Sequence, residues 1–337
     1  MPTIVDVARH AGVSWNTVSR VINGDPSVRP ETREVVLQAI RELDYVPNAA
    51  ARSLKNSRTR TIGLIVSFLN DAVFHPIIAG IEAVVRDHGY SLLICDSNLD
   101  PRTEAMNLET LYQKHVEGLI FYPVGDRCPS LERFQRAKIP VLVMDWSEPT
   151  PGLPQLPLKH RAVIREAIEY LLGLGHQRIA FVGAISRFGR WRAEEFRQVW
   201  RELNLPPDPS LMARVIDQQE AADALRIMLN RPNRPTAVIS TSLYMTSGVL
   251  RAISAAQLDI PRDISVITYG DTDLTECYRP PLTVMVTDRL TRGRVAAEYI
   301  FARLAGEEAT GMLREWDVNL VIRASCSVAP NLAPPTD

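Results

Sequence analysis

The run from Ile4 to Asn23, IVDVARHAGVSWNTVSRVIN, constrains this chain more than any other stretch of it. It reads as a helix, a tight turn and a second helix. Ala8 is small enough to let the second helix pack close, and Gly12 can take the positive φ that a sharp helix-to-helix turn needs. Val7, Val18 and Val21 are spaced to meet in one small core, and Ser14 is placed to N-cap the second helix. Trp15, Asn16 and Arg20 then face outward from it. Arg29-Pro30-Glu31-Thr32 opens a third helix, and residues 32–43 put Val35, Val36, Ala39, Ile40 and Leu43 on one apolar face that closes a three-helix core. A purely structural bundle has no use for polar and aromatic side chains at the start of the second helix. That is the position from which a recognition helix meets base edges.

The charge distribution agrees. The net charge is −1, yet residues 1–60 carry nine Lys and Arg against six Asp and Glu, so the remainder is acidic. A basic head on an acidic body fits a nucleic-acid reader with a separate regulatory part. At 337 residues and 46 % hydrophobic content, two or three soluble domains are expected. No apolar stretch approaches the ~20 residues of a membrane span. The N-terminus runs straight into a helical pattern without a signal peptide, so a cytoplasmic protein is expected. Cys95, Cys128, Cys277 and Cys326 are far apart and form no C-x-x-C, which predicts reduced thiols and neither a disulfide framework nor a zinc site.

In the segment Pro47 to Lys55, Asn48 can N-cap and three alanines favour helix. The segment is shorter than the roughly 12–15 residues an isolated helix needs, so it is expected to order only when something buries it. Leu54 is its one large apolar side chain: a core anchor, or a wedge between base pairs in a minor groove. Residues 56–60 read as an exposed linker. From residue 61 strands and helices alternate, beginning with a strand at 61–66 and a helix at 77–88 and ending with a helix at 291–304 and a strand at 316–322. The expected fold class is α/β: a three-helix helix-turn-helix head and hinge helix, then two doubly wound parallel-sheet subdomains with a ligand cleft between them. The expected boundaries are 1–47 for the head, 48–60 for the hinge and 61–337 for the core. Within the core, the family resemblance carried by the motifs below implies one subdomain of about 61–159 plus 289–316 and another of about 160–288 plus 317–330.

Asp6-Val7-Ala8, Ala11-Gly12-Val13-Ser14 and Thr17-Val18-Ser19-Arg20 resemble the signature of the lactose/galactose-repressor family. Val28, Pro30-Glu31-Thr32-Arg33, Tyr45-Val46-Pro47-Asn48-Ala49 and Ala51-Arg52-Ser53-Leu54 continue it. Thr61 to Ile65, Gly175 to Phe181, Ile260 to Ile267 and Pro281-Leu282-Thr283 resemble the family's regulatory core, including a later strand. The resemblance covers nearly the whole chain and is most specific over residues 4–54. It implies a homodimer, periplasmic-binding-protein-like in its core. Each head enters a major groove of a pseudo-palindromic operator, and two hinge helices pair in the central minor groove. It also implies a repressor, usually of carbohydrate or sugar-acid catabolism and transport genes, relieved or recruited by a small molecule.

Carried over residue by residue, the resemblance makes Trp15 and Asn16 the main specificity positions and Arg20 a guanine or phosphate contact. Thr3, Ser14, Thr17, Ser19, Asn23, Asn48, Ala51, Arg52 and Lys55 complete the DNA-contacting set, with Leu54 as the wedge. Trp15 departs from the smaller or hydroxylated residues common at its position, so the operator cannot be copied from relatives. Some members carry a leucine-rich C-terminal tetramerisation helix; Ala329-Pro330-Asn331-Leu332-Ala333-Pro334-Pro335 is not expected to form one, so a dimer is expected.

For the effector, the resemblance points to Phe74, Trp146 and Arg192, although each aromatic equally suits subdomain packing. Sugar-binding relatives carry Asn-Asp and Asp-Asp where this chain has Ser242-Leu243 and Gly270-Asp271. Lys159 and His160 stand where relatives have an acidic or amide residue, and with Arg190 and Arg192 they predict a cationic cleft. The expected effector is therefore an anion, a sugar acid or sugar phosphate, with a neutral sugar as the competitor. No catalytic residue, cofactor or metal is expected. An enzyme using His75, Asp145 and Asp271 is the alternative, but no G-x-G-x-x-G, P-loop, G-x-S-x-G or metal-ligand cluster accompanies them. A ligand-binding protein whose head serves another interaction is the remaining class.

Overall fold

A computed structural model describes residues 2–46, 58–125, 128–145, 152–185 and 187–330. The chain divides into two compact units, Met1–Thr59 and Arg60–Asp337.

The first unit holds α1 (Ile4–His10), α2 (Trp15–Ile22) and α3 (Pro30–Glu42). A reciprocal cap starts α1: the Asp6 amide donates to the Thr3 hydroxyl at 3.3 Å, and the Thr3 amide donates to the Asp6 carboxylate at 2.8 Å. Gly12 takes φ +65°, which turns the chain into α2, and the Ser14 hydroxyl accepts the Thr17 amide at 3.1 Å. Val7, Ala8, Val18, Val21, Val36 and Ala39 form the core. Val35 does not join it and is 50 % exposed. One residue is about 100° of helix, so with Val36 and Ala39 pointing inward Val35 turns to solvent. Ile40 and Leu43 lie between, packed on the core edge.

The second unit begins with β1 (Thr61–Val66), α4 (Phe74–Asp87), β2 (Ser91–Asp96), α5 (Pro101–Gln113), β3 (Gly118–Phe121), α6 (Leu131–Arg136), β4 (Val141–Met144) and β5 (Gln155–Leu156). Their strands make a parallel sheet in the order β2-β1-β3-β4-β5. Next come α7 (His160–Gly173), β6 (Ile179–Ala184), α8 (Arg187–Glu202), β7 (Met212–Val215), α9 (Gln218–Leu229) and β8 (Ala237–Ser240). Then follow α10 (Leu243–Ala255), β9 (Ser265–Tyr269), α11 (Asp273–Cys277), β10 (Thr283–Val286), α12 (Arg289–Leu304) and β11 (Asn319–Val321). The second sheet runs β11-β10-β9-β8-β6-β7, parallel except for the edge pair β10–β11.

The chain passes between the sheets three times: after β5, between β10 and α12, and between α12 and β11. The first and third passages are tied at Leu158 and Trp316, where Lys159 donates its amide to Trp316 and Trp316 donates its own to Pro157. The last strand covers 319–321 where 316–322 is expected, and Trp316 belongs to that tie instead. After the second passage, α12 returns to the first sheet and packs along α4. Glycines set this approach: a Cβ on Gly80 would sit 2.2 Å from the Leu290 carbonyl oxygen, and one on Gly293 would sit 2.2 Å from that of Ile77. The N-terminal turn of α12 is thereby fixed where the sheets face each other.

Candidate functional site

On the head, α2 presents its first turn and outer face to solvent. Ser14, Trp15, Asn16, Arg20 and Asn23 are exposed, with Trp15 54 % exposed, while Thr17 and Ser19 are half-buried. Two hydroxyls already serve the fold: Ser14 caps α2, and Thr3 caps α1. Arg20 lies 3.3 Å from the Asp25 carboxylate, whose pKa is held low chiefly by hydrogen bonds from Ser27. Arg20 thus leaves α2 with a preferred direction. Asn48, Ala51, Arg52, Leu54, Lys55 and Trp146 lie outside the described residues.

Between the two sheets is a cavity of about 90 Å³ lined from both subdomains. Phe74, Arg192 and Ser242, all singled out in the sequence, line it together. Ser242 caps α10 by accepting the Met245 amide at 3.2 Å. The Arg192 guanidinium lies 4.0 Å from the Tyr269 ring centre and donates to the Thr241 carbonyl at 2.8 Å. Stacking on the ring and bonding to the backbone hold the charge in place.

The other expected effector residues are placed differently. Lys159 is exposed at the tie between passages and reaches Asp317 at 2.8 Å, which raises its pKa. Arg190 is exposed on α8 and does not line the cavity. Asp271 faces Arg323, which donates to its two oxygens at 2.8 and 2.6 Å. Burial alone pushes the Asp271 carboxyl up, but the Arg323 and Thr275 hydrogen bonds outweigh it and the pKa falls. His160 is buried and packs edge-on to Trp191 at 4.7 Å. Burial first, then Arg192, Arg292 and Arg289, drive its pKa well below the ordinary histidine value, so it contributes no charge to the cleft. Of the four residues expected to make the cleft cationic, Lys159, His160, Arg190 and Arg192, the cavity wall contains Arg192.

Among the described residues, the cavity wall carries two arginines that the sequence reading passed over. Arg289 and Arg292 open α12 and are buried against it, with Arg192 beside them. Arg292 pairs with Asp145 and donates to the Leu156 carbonyl at 3.0 Å. Asp71, the other carboxylate of the lining, accepts the Val73 amide at 3.3 Å. Burial raises its pKa in spite of that bond and of Arg289 and Arg192. A signal for the two arginines was present: 289, 292, 296 and 300 lie on one helical stripe whose remaining members, Ala296 and Ile300, are buried. Charges that share the apolar stripe of a helix enter the interior with it. The hydroxyls of Tyr122, Tyr269 and Thr287 and the Nη2 of Arg289 are buried in this lining with no protein hydrogen-bond partner. Native interiors seldom leave such atoms unmatched, and their convergence makes this lining the candidate binding site.

Among the described residues no cluster of His, Cys, Asp and Glu could hold a metal ion, and no helix is long and apolar enough to cross a membrane. Residues 3–48 match the family described as bacterial regulatory proteins, lacI family, and residues 168–326 match the periplasmic binding protein-like domain. The ribose operon repressor of Escherichia coli (strain K12) is 36 % identical over 309 residues, spanning 90 % of this chain and 93 % of the relative. The HTH-type transcriptional repressor PurR of Haemophilus influenzae (strain PittEE) is 32 % identical over 320 residues, spanning 91 % and 93 %. A crystal structure of the lac repressor dimer bound to operator and the anti-inducer ONPF superposes with a TM-score of 0.80 at 29 % identity, covering 97 % of this chain and 99 % of the other.

Proposed function

The chain belongs to the lacI family of bacterial regulatory proteins, and on that premise we propose how its two units share one regulatory task. It is a DNA-binding transcriptional repressor with an effector-binding core, like its relatives, and not an enzyme. Two copies associate so that each α2 enters a major groove, and the two-fold axis requires a pseudo-palindromic operator. Asn16 and Arg20 have the chemistry to read adenine and guanine, and Trp15 offers a broad apolar surface to base methyls beside them. Thr3, Ser14, Thr17, Ser19 and Asn23 flank this reading edge. Asn48, Ala51, Arg52 and Lys55 approach the central minor groove, with Leu54 as the wedge. The protein works in the cytoplasm, where its DNA is.

The effector occupies the cavity between the sheets, with Phe74, Arg192 and Ser242 in its wall. The convergence of unmatched buried polar atoms at the three passages carries this reading. A ligand there touches both subdomains, so it favours one angle between them over another. Such differential affinity is what couples a ligand to DNA binding. The test is a gel-shift titration of the DNA upstream of the chain's own gene, with and without small-molecule extracts or candidate effectors. Retardation that a ligand shifts supports the reading, and the direction of the shift separates inducer from co-repressor. DNA that is never retarded, with or without ligand, sinks it.

A further inference from the structure

Two loops, one from each subdomain, part the inner cavity from an outer groove. Residues 67–73 join β1 to α4 on the first sheet, and residues 241–246 run from the end of β8 into α10 on the second. Both stand at the carboxyl ends of parallel strands, where α/β sheets take their ligands. Along each loop the sides alternate. Phe68, Asp71 and Val73 line the cavity, while Asn70 and Ala72 line a groove of about 450 Å³. Ser242 and Met245 line the cavity, while Leu243 and Thr246 line the groove. Tyr244 lines both, so at this residue the wall between the two spaces is a single side chain thick.

This wall is a seam between subdomains. The chain crosses between the sheets elsewhere in the lining, near Leu158 and Thr287. At the seam it is side chains that meet. The rings of Phe68 and Tyr244 stand edge-on, with centres 4.7 Å apart and planes at 71°. A Cβ on Gly270, just after β9, would sit 2.9 Å from both Val73 Cγ1 and Leu243 Cγ, so these two residues close over the same glycine. Phe68 and Tyr244 are half-buried, and Leu69 and Asn70 beside them are exposed. An edge-on ring pair adds only a modest stabilisation to the area it buries, and such peripheral contacts open locally well before a core does. Because one ring stands on each subdomain, a change in the angle between subdomains parts them.

Resting on the effector-site reading above, we propose that this seam is the gate of the cavity: a small-molecule effector collects in the outer groove, passes inward between Phe68 and Tyr244, and the two rings meet again behind it. The groove offers Asn70, Gln218, Ser247 and Thr272 to a polar ligand, which keeps hydrogen-bonding partners until the rings part. Entry and subdomain motion are then one event, since passage displaces a group on each side. A gate that is shut in both the free and the bound protein slows entry and escape alike, so the rings set the rate of exchange and leave affinity to the cavity lining.

The gate is tested without the effector, with a thiol as reporter. Thr287→Cys places it in the cavity lining, where Thr287 is 5 % exposed, and methyl methanethiosulfonate is the probe. Modification at position 287 is followed in the full chain by peptide mass spectrometry, beside that of the native Cys326, which is half-buried against the core of the second subdomain. Phe68→Ala and Tyr244→Ala are each expected to speed modification at 287 roughly 2–10-fold, the factor that losing one edge-on ring pair corresponds to, and to leave Cys326 unchanged. Phe68→Leu keeps apolar bulk without the ring; it should act in the same sense and covers the case that an alanine variant folds poorly. Tyr244→Phe keeps the ring and should react like the parent, as should Leu274→Ala, exposed in the groove. Equal rates in the parent and the ring variants overturn the gate. So does a rise matched at Cys326, which reports general loosening, or a Tyr244→Phe variant as fast as Tyr244→Ala. The gel-shift titration judges the effector reading separately. Rates that ignore the rings while a ligand still shifts the DNA overturn the gate and leave the effector site standing. Rates that follow the rings while no ligand acts on the DNA support the gate and remove the effector reading alone.

Discussion

The two surfaces proposed to meet DNA and the effector are built on opposite principles. The face of α2 is made of exposed side chains: Trp15, Asn16 and Arg20 project from a helix whose core is closed by Val18 and Val21 beneath them. The cavity in the second unit is made of side chains the fold has had to accommodate. Arg289 and Arg292 are charged, buried and set among apolar neighbours such as Ile77 and Leu158. An exposed reading surface can change its target at little structural cost. A buried one couples every change of ligand to the stability and arrangement of the two subdomains, which is the property an allosteric site requires. The division also explains why Trp15 can depart from common usage while the helix-turn-helix around it is kept.

This contrast breaks first, and with the largest effect, at Arg292. Its partner Asp145 is also largely buried, and the pair links α12 to the end of β4. Arg292→Ala leaves that carboxylate unpaired in the interior and is expected to cost about 3–5 kcal/mol of unfolding free energy. Denaturant unfolding of the isolated variant measures it. Replacing both partners together, as Arg292→Met with Asp145→Leu, should recover most of the loss. A single variant as stable as the parent would mean that the cavity tolerates change as the head does.

The head gives the next largest effect, in a different measurement. Asn16→Ala and Arg20→Ala are each expected to lose about 1–3 kcal/mol of discrimination between the operator and single-base variants, measured at fixed salt by fluorescence anisotropy. The melting temperature should not move, because both side chains are exposed and the Arg20–Asp25 pair at the surface is worth little. A fall in melting temperature that parallels the fall in affinity would erase the distinction between the two surfaces.

The same distinction decides what the sequence disclosed. The head was legible in its turn, cap and core because period and capping fix which way a side chain on a helix points: Gly12, Ser14, Val7, Val18 and Val21 place Trp15 without any long-range knowledge, although Val35, read with the core, is exposed. The alternation that gives two parallel sheets was legible for the same reason. The cavity draws on residues from Ser67 to Arg292 and closes only when three passages are in register. The family resemblance points to Phe74, Arg192 and Ser242, which line the cavity, and equally to Lys159 and Asp271, whose charges are taken by Asp317 and Arg323. A cation's partner from the far end of the chain does not show in local sequence. Nor did the reading weigh the apolar stripe that carries Arg289 and Arg292 inward.

The pH dependence of stability sharpens the contrast from the buried side. His160 has its pKa pushed down by burial and by the three arginines, so the unfolded chain takes up a proton more readily than the folded one. Stability is then level above the ordinary histidine value of about 6.5 and falls as pH drops below it, by up to about 1.4 kcal/mol per pH unit for one proton. His176, also buried and depressed, adds to the same slope. His160→Gln should reduce the slope between neutral and mildly acidic pH in urea unfolding, leaving the part due to His176. An unchanged slope would show that neither burial nor the arginines hold the His160 pKa down in the folded chain.

The smallest effect tests the head at the point where pattern and packing disagree. Val35 and Val36 are neighbours of the same chemistry on α3, and the apolar face read from the sequence includes both. Val36 is fully buried and Val35 half exposed. Removing two methyl groups from the interior costs roughly 1.5 kcal/mol by transfer alone, so Val36→Ala should lower stability by about that amount or more. Val35→Ala should stay within about 0.5 kcal/mol, since a surface change touches neither packing nor a buried polar group. A melting curve of the isolated variants separates the two, and it does so without DNA or ligand. Equal losses would put Val35 back among the residues that close the head, and a three-helix unit would then have a broader buried face than Val36 and Ala39 provide. Unequal losses would confine that face to one stripe of α3, with Val35 contributing to neither the fold nor the reading edge.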